Sequence, residues 1–290
     1  MPSRRYLQLD VFADRPGAGN PLGVVVDADG LDTAAMQAIA NWTNLSETIF
    51  LLPPEADADY RVRIFTPRQE LPFAGHPSVG AAWAAVDQGL ADATNGTLVQ
   101  QCAAGLLPVR LDAGSTGLKP SIRAPRTRHL PTPAGTEGQL DTVLRALGAT
   151  SAPHALLDNG PHWWCVDLGD AAVVRGLTPP LVDIAALCLA SGAVGLAVCG
   201  RSDAVDHQLA VRAFCPADGI PEDPVTGSVN AAIAAWLHLD RVDDGDVVRY
   251  VASQGRELGR DGRVEVEIDA ASEVWIGGSV QAVIRGTFDW

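Results

Sequence analysis

An octet written twice governs what this chain can fold into. Ser78 to Ala85 reads SVGAAWAA and Ser228 to Ala235 reads SVNAAIAA, with six of eight positions identical at an offset of 150 residues. A helix that is small and apolar on nearly every face belongs inside a core rather than on a surface. Two such helices in 290 residues predict two cores, in line with a length of roughly 150 residues per domain.

The duplication reaches well beyond the octet. Upstream, the run YRVRIF ends at Phe65 and QLAVRAF ends at Phe214, both alternating apolar and polar as half-buried strands do. Before them stand ETIFLLP from Glu47 and VGLAVCG from Val194; after the helices come QQCAAGLLPVRLDA from Gln100 and QGRELGRDGRVEVEI from Gln254. The order strand, strand, loop, helix, strand therefore recurs. It predicts an α+β protein of two pseudo-symmetric lobes, residues 1–128 and 129–290, each a mostly antiparallel sheet wrapped around a central helix. The Pro-rich, poorly periodic stretch Lys119 to Gly138 marks the joint, and the last strand is able to pair back to the first lobe.

Composition narrows the function. A formal charge of −14 without any Lys/Arg cluster speaks against nucleic acid and anionic membranes as partners. The N-terminus runs from two arginines straight into a strand pattern, and no apolar stretch approaches the roughly 20 residues that span a bilayer. A cytoplasmic protein is expected. Five scattered cysteines without a C-x-x-C pair suggest neither a disulfide framework nor a zinc site, and GAGNPLG, Gly17 to Gly23, lacks the spacing of a dinucleotide loop. No metal and no cofactor are expected.

Catalysis is sought where the halves differ. The first loop supplies His76 in FAGHP; the second supplies Glu222 and Asp223 in PEDPVTG. Glu47, after Ser46 at the start of its strand, has no acidic twin near Val194 to Leu196. Ser78 and Ser228 suit the N-caps of the two helices, and helix N-termini facing each other across a cleft would offer N–H groups to a ligand carboxylate. A carboxyl held in a closed apolar cleft has its pKa raised by desolvation and can give and take protons near neutrality.

LDVFADRPGAGNPLGVVVDADGL, NLSETIF, RIFTPRQELPFAGHPSVGAAWA, EDPVTGSVNAAIAAWL and QGRELGRDGRVEVEI together resemble the PhzF family of phenazine-biosynthesis-like isomerases, from Leu9 to about Gly286. The resemblance implies the diaminopimelate epimerase-like fold, a site between two lobes, a homodimer and a small carboxylate-bearing substrate. It implies Glu47 as the acid/base that moves a proton within the substrate. It also implies that His76 and Asp223, counted with Glu47 as catalytic, help bind and orient the substrate, as do Gly227 and Ser228; Asn20 and Gly75 match further substrate-contacting positions, with Ser46 expected among them. Epimerases and racemases of this fold use one Cys from each lobe; here Ala74 and the pair Asp223-Pro224 occupy those loops, which disfavours that alternative. A non-catalytic metabolite-binding protein is the other alternative, against which stand the intact Glu47, His76 and Asp223. Trp42, Trp83, Trp163 and Trp164 are read as core aromatics.

Overall fold

The structure, a computed structural model, describes residues 2–55, 57–114, 117–238 and 247–290. The chain divides into two compact units, Met1–Arg123 with Gly277–Trp290, and Ala124–Ile276. The boundary falls a few residues before 128, and the C-terminal strand Val280–Asp289 belongs to the first unit because it pairs antiparallel with the first strand from Ser3 to Val11.

Unit 1 runs β1 (Ser3–Val11), β2 (Asn20–Val25), α1 (Thr33–Thr43), β3 (Glu47–Leu52), β4 (Tyr60–Phe65), β5 (Glu70–Leu71), α2 (Gly75–Asp87), β6 (Thr97–Cys102), β7 (Gly105–Gly114) and β8 (Gly117–Arg123). Neighbours pair antiparallel except β2/β3 and β4/β6, which are parallel and are bridged by the crossover helices α1 and α2. Residues 76–82 of α2 are all buried, as a small-residue helix allows. Under α1, Val25, Met36, Ile39, Phe50 and Phe65 form a core cluster, each such side chain contributing about 1.5–3 kcal/mol when fully buried.

Unit 2 begins with β9 (Arg128–Leu130) and α3 (Glu137–Ala146). It continues with β10 (His154–Asp158), β11 (His162–Asp170), α4 (Ala171–Gly176), α5 (Leu181–Ser191), β12 (Gly195–Arg201), β13 (Leu209–Cys215), β14 (Ile220–Asp223), α6 (Gly227–His238), β15 (Val248–Gln254) and β16 (Gly262–Ile268). Its pairings repeat those of unit 1 in order: β11/β12 and β13/β15 are parallel, while β10/β11, β12/β13, β13/β14 and β15/β16 are antiparallel. The registers coincide as well. Thr48 lies opposite Phe65, and Leu196 opposite Phe214.

An ion pair is duplicated with the strands. Arg63 grips Glu70 through two bonds of 2.7 Å, Arg212 grips Glu222 through two of 2.9 Å, and each guanidinium lies 5.1 Å from the ring two residues on, Phe65 or Phe214. Glu222, weighed above as a loop carboxylate for chemistry, is therefore the tie that holds β14 against β13. Its charge is already matched.

Two of the sequence expectations fail locally. Ser78 caps nothing: α2 starts three residues earlier, with Ala74 at the N-cap, and the hydroxyl donates back to the Ala74 carbonyl at 2.8 Å. Ser228 is no N-cap either, because α6 starts one residue before it, at Gly227. Trp42 is 69% exposed on α1 beside Trp290, whereas Trp163 and Trp164 lie in the core. No helix among the described residues is long and apolar enough to cross a membrane.

Candidate active site

Glu47 and His76 come together in unit 1. Glu47 opens β3 opposite Leu22 of β2, two residues beyond Asn20, and His76 is the second residue of α2. Glu47 Oε2 lies 3.3 Å from His76 Nε2, with the two side chains 16% and 7% exposed. The imidazole also bonds the backbone of Pro21, which has no N–H, so the ring donates to the Pro21 carbonyl. Nε2 is the nitrogen beside Glu47, so the donor is Nδ1. Burial drives the His76 pKa down from 6.5 to about 3, against the opposing pull of the Pro21 carbonyl. The histidine is neutral at pH 7 and turns an Nε2 lone pair toward the carboxyl of Glu47.

Gly19 prepares this corner. It has φ +64°, and a Cβ there would overlap the Val11 carbonyl oxygen, so a side chain is excluded on both counts. Asn20 follows it, 1% exposed at the start of β2. Ser46 precedes Glu47 and is partly exposed, and Gly75, also partly exposed, is the first residue of α2.

The registers give Glu47 a structural counterpart. Leu22 pairs with Glu47 in unit 1, and Trp163 pairs with Gly195 in unit 2. A Cβ at Gly195 would come within 2.5 Å of Trp163 Cζ3 and would also overlap the Phe214 carbonyl oxygen. Unit 2 has no room for a carboxylate at this position. The symmetry is broken by sterics, and the acid/base candidate exists once.

The candidates of unit 2 lie on the turn into α6. Thr226 donates its hydroxyl to Asp223 Oδ2, and the buried Gln254 ties the turn together. Its Oε1 accepts from the Thr226 N–H at 3.1 Å and the Asn230 amide at 2.9 Å, while its Nε2 donates to the Asp223 carbonyl at 3.1 Å and Thr226 Oγ1 at 2.9 Å. Gly255 lets the Pro224 carbonyl approach its Cα, at φ +82°. Gly227 and Ser228 open the helix. Gln254 ends β15, and nothing in the sequence around it signals its place in this turn.

Among the described residues no group of three or more His, Cys, Asp or Glu is placed to hold a metal ion. Cys165, Cys188, Cys199 and Cys215 are buried and Cys102 partly so. Desolvation raises all five thiol pKa values, that of Cys188 to about 12.

Comparison with known proteins follows the same lines. The family model described as phenazine biosynthesis-like protein, PhzC-PhzF, matches residues 9–286. The trans-2,3-dihydro-3-hydroxyanthranilate isomerase of Pseudomonas aeruginosa is 35% identical over 93% of this chain and 92% of its own length. A PhzF-family structure from Bacillus anthracis superposes with a TM-score of 0.86 at 25% identity, each chain covered completely. A hydroxyproline epimerase from Agrobacterium vitis shares the fold, with a TM-score of 0.63 at 14% identity over 98% of this chain and 92% of that one. The chain belongs to the PhzC-PhzF family and is an isomerase of that family.

Proposed function

We propose that this isomerase moves a proton, and with it a double bond, within a small cyclic or unsaturated amino acid that carries a carboxylate, and that Glu47 is the acid/base. The observation that carries the reading is the single Glu47–His76 pair, 3.3 Å apart, at a position where the duplicated unit has glycine. Ionised Glu47 takes a proton from a substrate carbon, the electron pair of that C–H bond moves into the π system, and protonated Glu47 returns the proton to another carbon. Atoms and charge balance with no other reactant.

His76 acts through Glu47. With Nδ1–H committed to the Pro21 carbonyl, its Nε2 can only accept, so it supports the protonated form of Glu47 and opposes the ionised one. Asn20, Ser46 and Gly75 in unit 1, and Asp223, Gly227 and Ser228 in unit 2, are the substrate-binding and orienting candidates.

Trans-2,3-dihydro-3-hydroxyanthranilate, named for the Pseudomonas aeruginosa relative, is the first compound to test, followed by other dihydroaromatic and unsaturated amino acids. Incubation in D2O followed by mass spectrometry reads the reaction directly. An isomer carrying solvent deuterium at carbon supports the reading. Conversion that needs an added metal, or inverts a stereocentre without moving a double bond, counts against it.

A further inference from the structure

The two serines of the repeated octet are bonded differently. Ser78 is fully buried; its hydroxyl donates to the Ala74 carbonyl at 2.8 Å and accepts from Gln100 Nε2 at 3.0 Å. Its proton is used inside the unit. Ser228 is partly exposed at the second residue of α6, and its Oγ accepts from the indole Nε1–H of Trp163 at 3.2 Å. An indole N–H is a donor only, so one lone pair of the hydroxyl is taken and its proton must point elsewhere. The carbonyl four residues back, which receives the proton of Ser78, is here that of Pro224, and it is turned against Gly255. Among the described residues no acceptor takes the Ser228 proton.

The rest of the surroundings hold this arrangement still. Trp163 is 2% exposed, and its ring lies over Gly195, the residue that stands where unit 1 has Glu47. Asn159, 3% exposed, donates its amide to the Ser228 carbonyl at 2.8 Å, while its own Oδ1 is buried without a protein partner. The first N–H groups of α6 are donors too. Beside a neutral indole this corner presents an outward O–H and helix N–H groups, which suits an anionic oxygen.

We propose that Trp163 is a positioning residue: by occupying one lone pair of Ser228 it fixes that hydroxyl as a donor, and so makes the start of α6 select a substrate carboxylate over an uncharged amide. The isomerase reading enters only through the choice of a carboxylate substrate. Trp163 does not touch the reacting atoms; it acts through Ser228. The broken symmetry thus has two halves. Where unit 1 pairs Leu22 with Glu47, unit 2 pairs Trp163 with Gly195, and the tryptophan gives the second unit an oriented donor in place of an acid.

Binding of anthranilate and of anthranilamide, measured calorimetrically, tests this in wild type, Trp163→Phe, Ser228→Ala and the double variant. Ser228→Ala is expected to weaken anthranilate about tenfold, the loss of one hydrogen bond to a charged group, and Trp163→Phe about threefold by letting the hydroxyl rotate. The double variant should bind no more weakly than Ser228→Ala, and anthranilamide, whose carbonyl accepts the same O–H as a neutral group, should lose less than anthranilate in every variant. Additive losses, wild-type affinity in Trp163→Phe, equal effects on acid and amide, or no anthranilate binding by the wild type would each overturn the proposal. A structural check within the native fold is the Trp163 indole proton resonance, which Ser228→Ala must shift; an unmoved resonance also refutes it. Because the assay reads binding without turnover, its failure is distinct from failure of the isomerase reading, which the D2O incubation decides.

Discussion

Arg63 and Arg212 form an internal experiment on burial, since the duplication supplies the same bidentate ion pair twice in different surroundings. Replacing Arg212 by Met removes both bonds to Glu222 and two more from Nη1 to the carbonyls of Leu177 at 2.7 Å and Val174 at 3.3 Å. Glu222 is left with a side chain only 8% exposed, where water cannot replace the guanidinium. Breaking a buried pair from one side costs about 3–5 kcal/mol. Arg63→Met leaves Glu70, 31% exposed, which water can reach, so the loss should be nearer about 1 kcal/mol. Bond length alone gives the opposite order, because the Arg63 bonds are the shorter by 0.2 Å, 2.7 against 2.9 Å. Urea denaturation with segment-resolved hydrogen exchange separates the responses of the two units. Arg212→Met should lose at least about 2 kcal/mol more than Arg63→Met, and Arg212→Met with Glu222→Leu should recover most of that loss by removing the stranded charge. Equal losses, or a double variant as unstable as the single one, would refute the reasoning.

Three further outcomes are expected. His76, with a folded pKa of about 3 against 6.5 unfolded, binds its proton more weakly when folded; its contribution is whole above about pH 6.5 and falls by up to about 1.4 kcal/mol per pH unit toward pH 3, so His76→Asn should flatten the acid limb of the urea midpoint by one proton. Gly80→Ala adds a Cβ that overlaps Leu22 Cδ2 and sits 3.1 Å from Val11 Cγ2, and calorimetry should show a net loss because overpacking of about 1–3 kcal/mol outweighs the roughly 1 kcal/mol gained in helix propensity. Iodoacetamide on the native protein should label at most Cys102 and leave turnover unchanged, whereas inactivation would revive a thiol mechanism.

The duplication was legible because it is carried by local patterns: an Ala-rich octet, two alternating strands ending in R-x-F, and two returns beginning at Gln. The uniqueness of Glu47 was legible for the same reason, though naming Gly195 as its counterpart needed the strand register. What escaped was tertiary. Glu222 read as a free loop acid because β14 is four residues long and contains Pro221, too short for a period to show that it folds back onto Arg212. Ser78 read as a cap because its distance from the true helix start, three residues, is invisible without dihedral angles. Trp163 lies 65 residues from Ser228, and nothing in either segment announces that they meet. The exposure of Trp42 likewise has no signal in its own helix, whose neighbours are small and polar.

The proton-transfer role of Glu47 is the claim on which the account turns, and Glu47→Gln tests it most directly. Glutamine keeps the size of the side chain but cannot carry a proton from one carbon to another. With a turned-over substrate in hand, single-turnover rates in D2O should fall by at least about 100-fold, the lower end of general acid–base catalysis, while anthranilate affinity stays within about threefold because the binding groups are untouched. A Gln variant that isomerises within about threefold of wild type and still incorporates solvent deuterium would contradict the account, since that margin is far below the acid–base range.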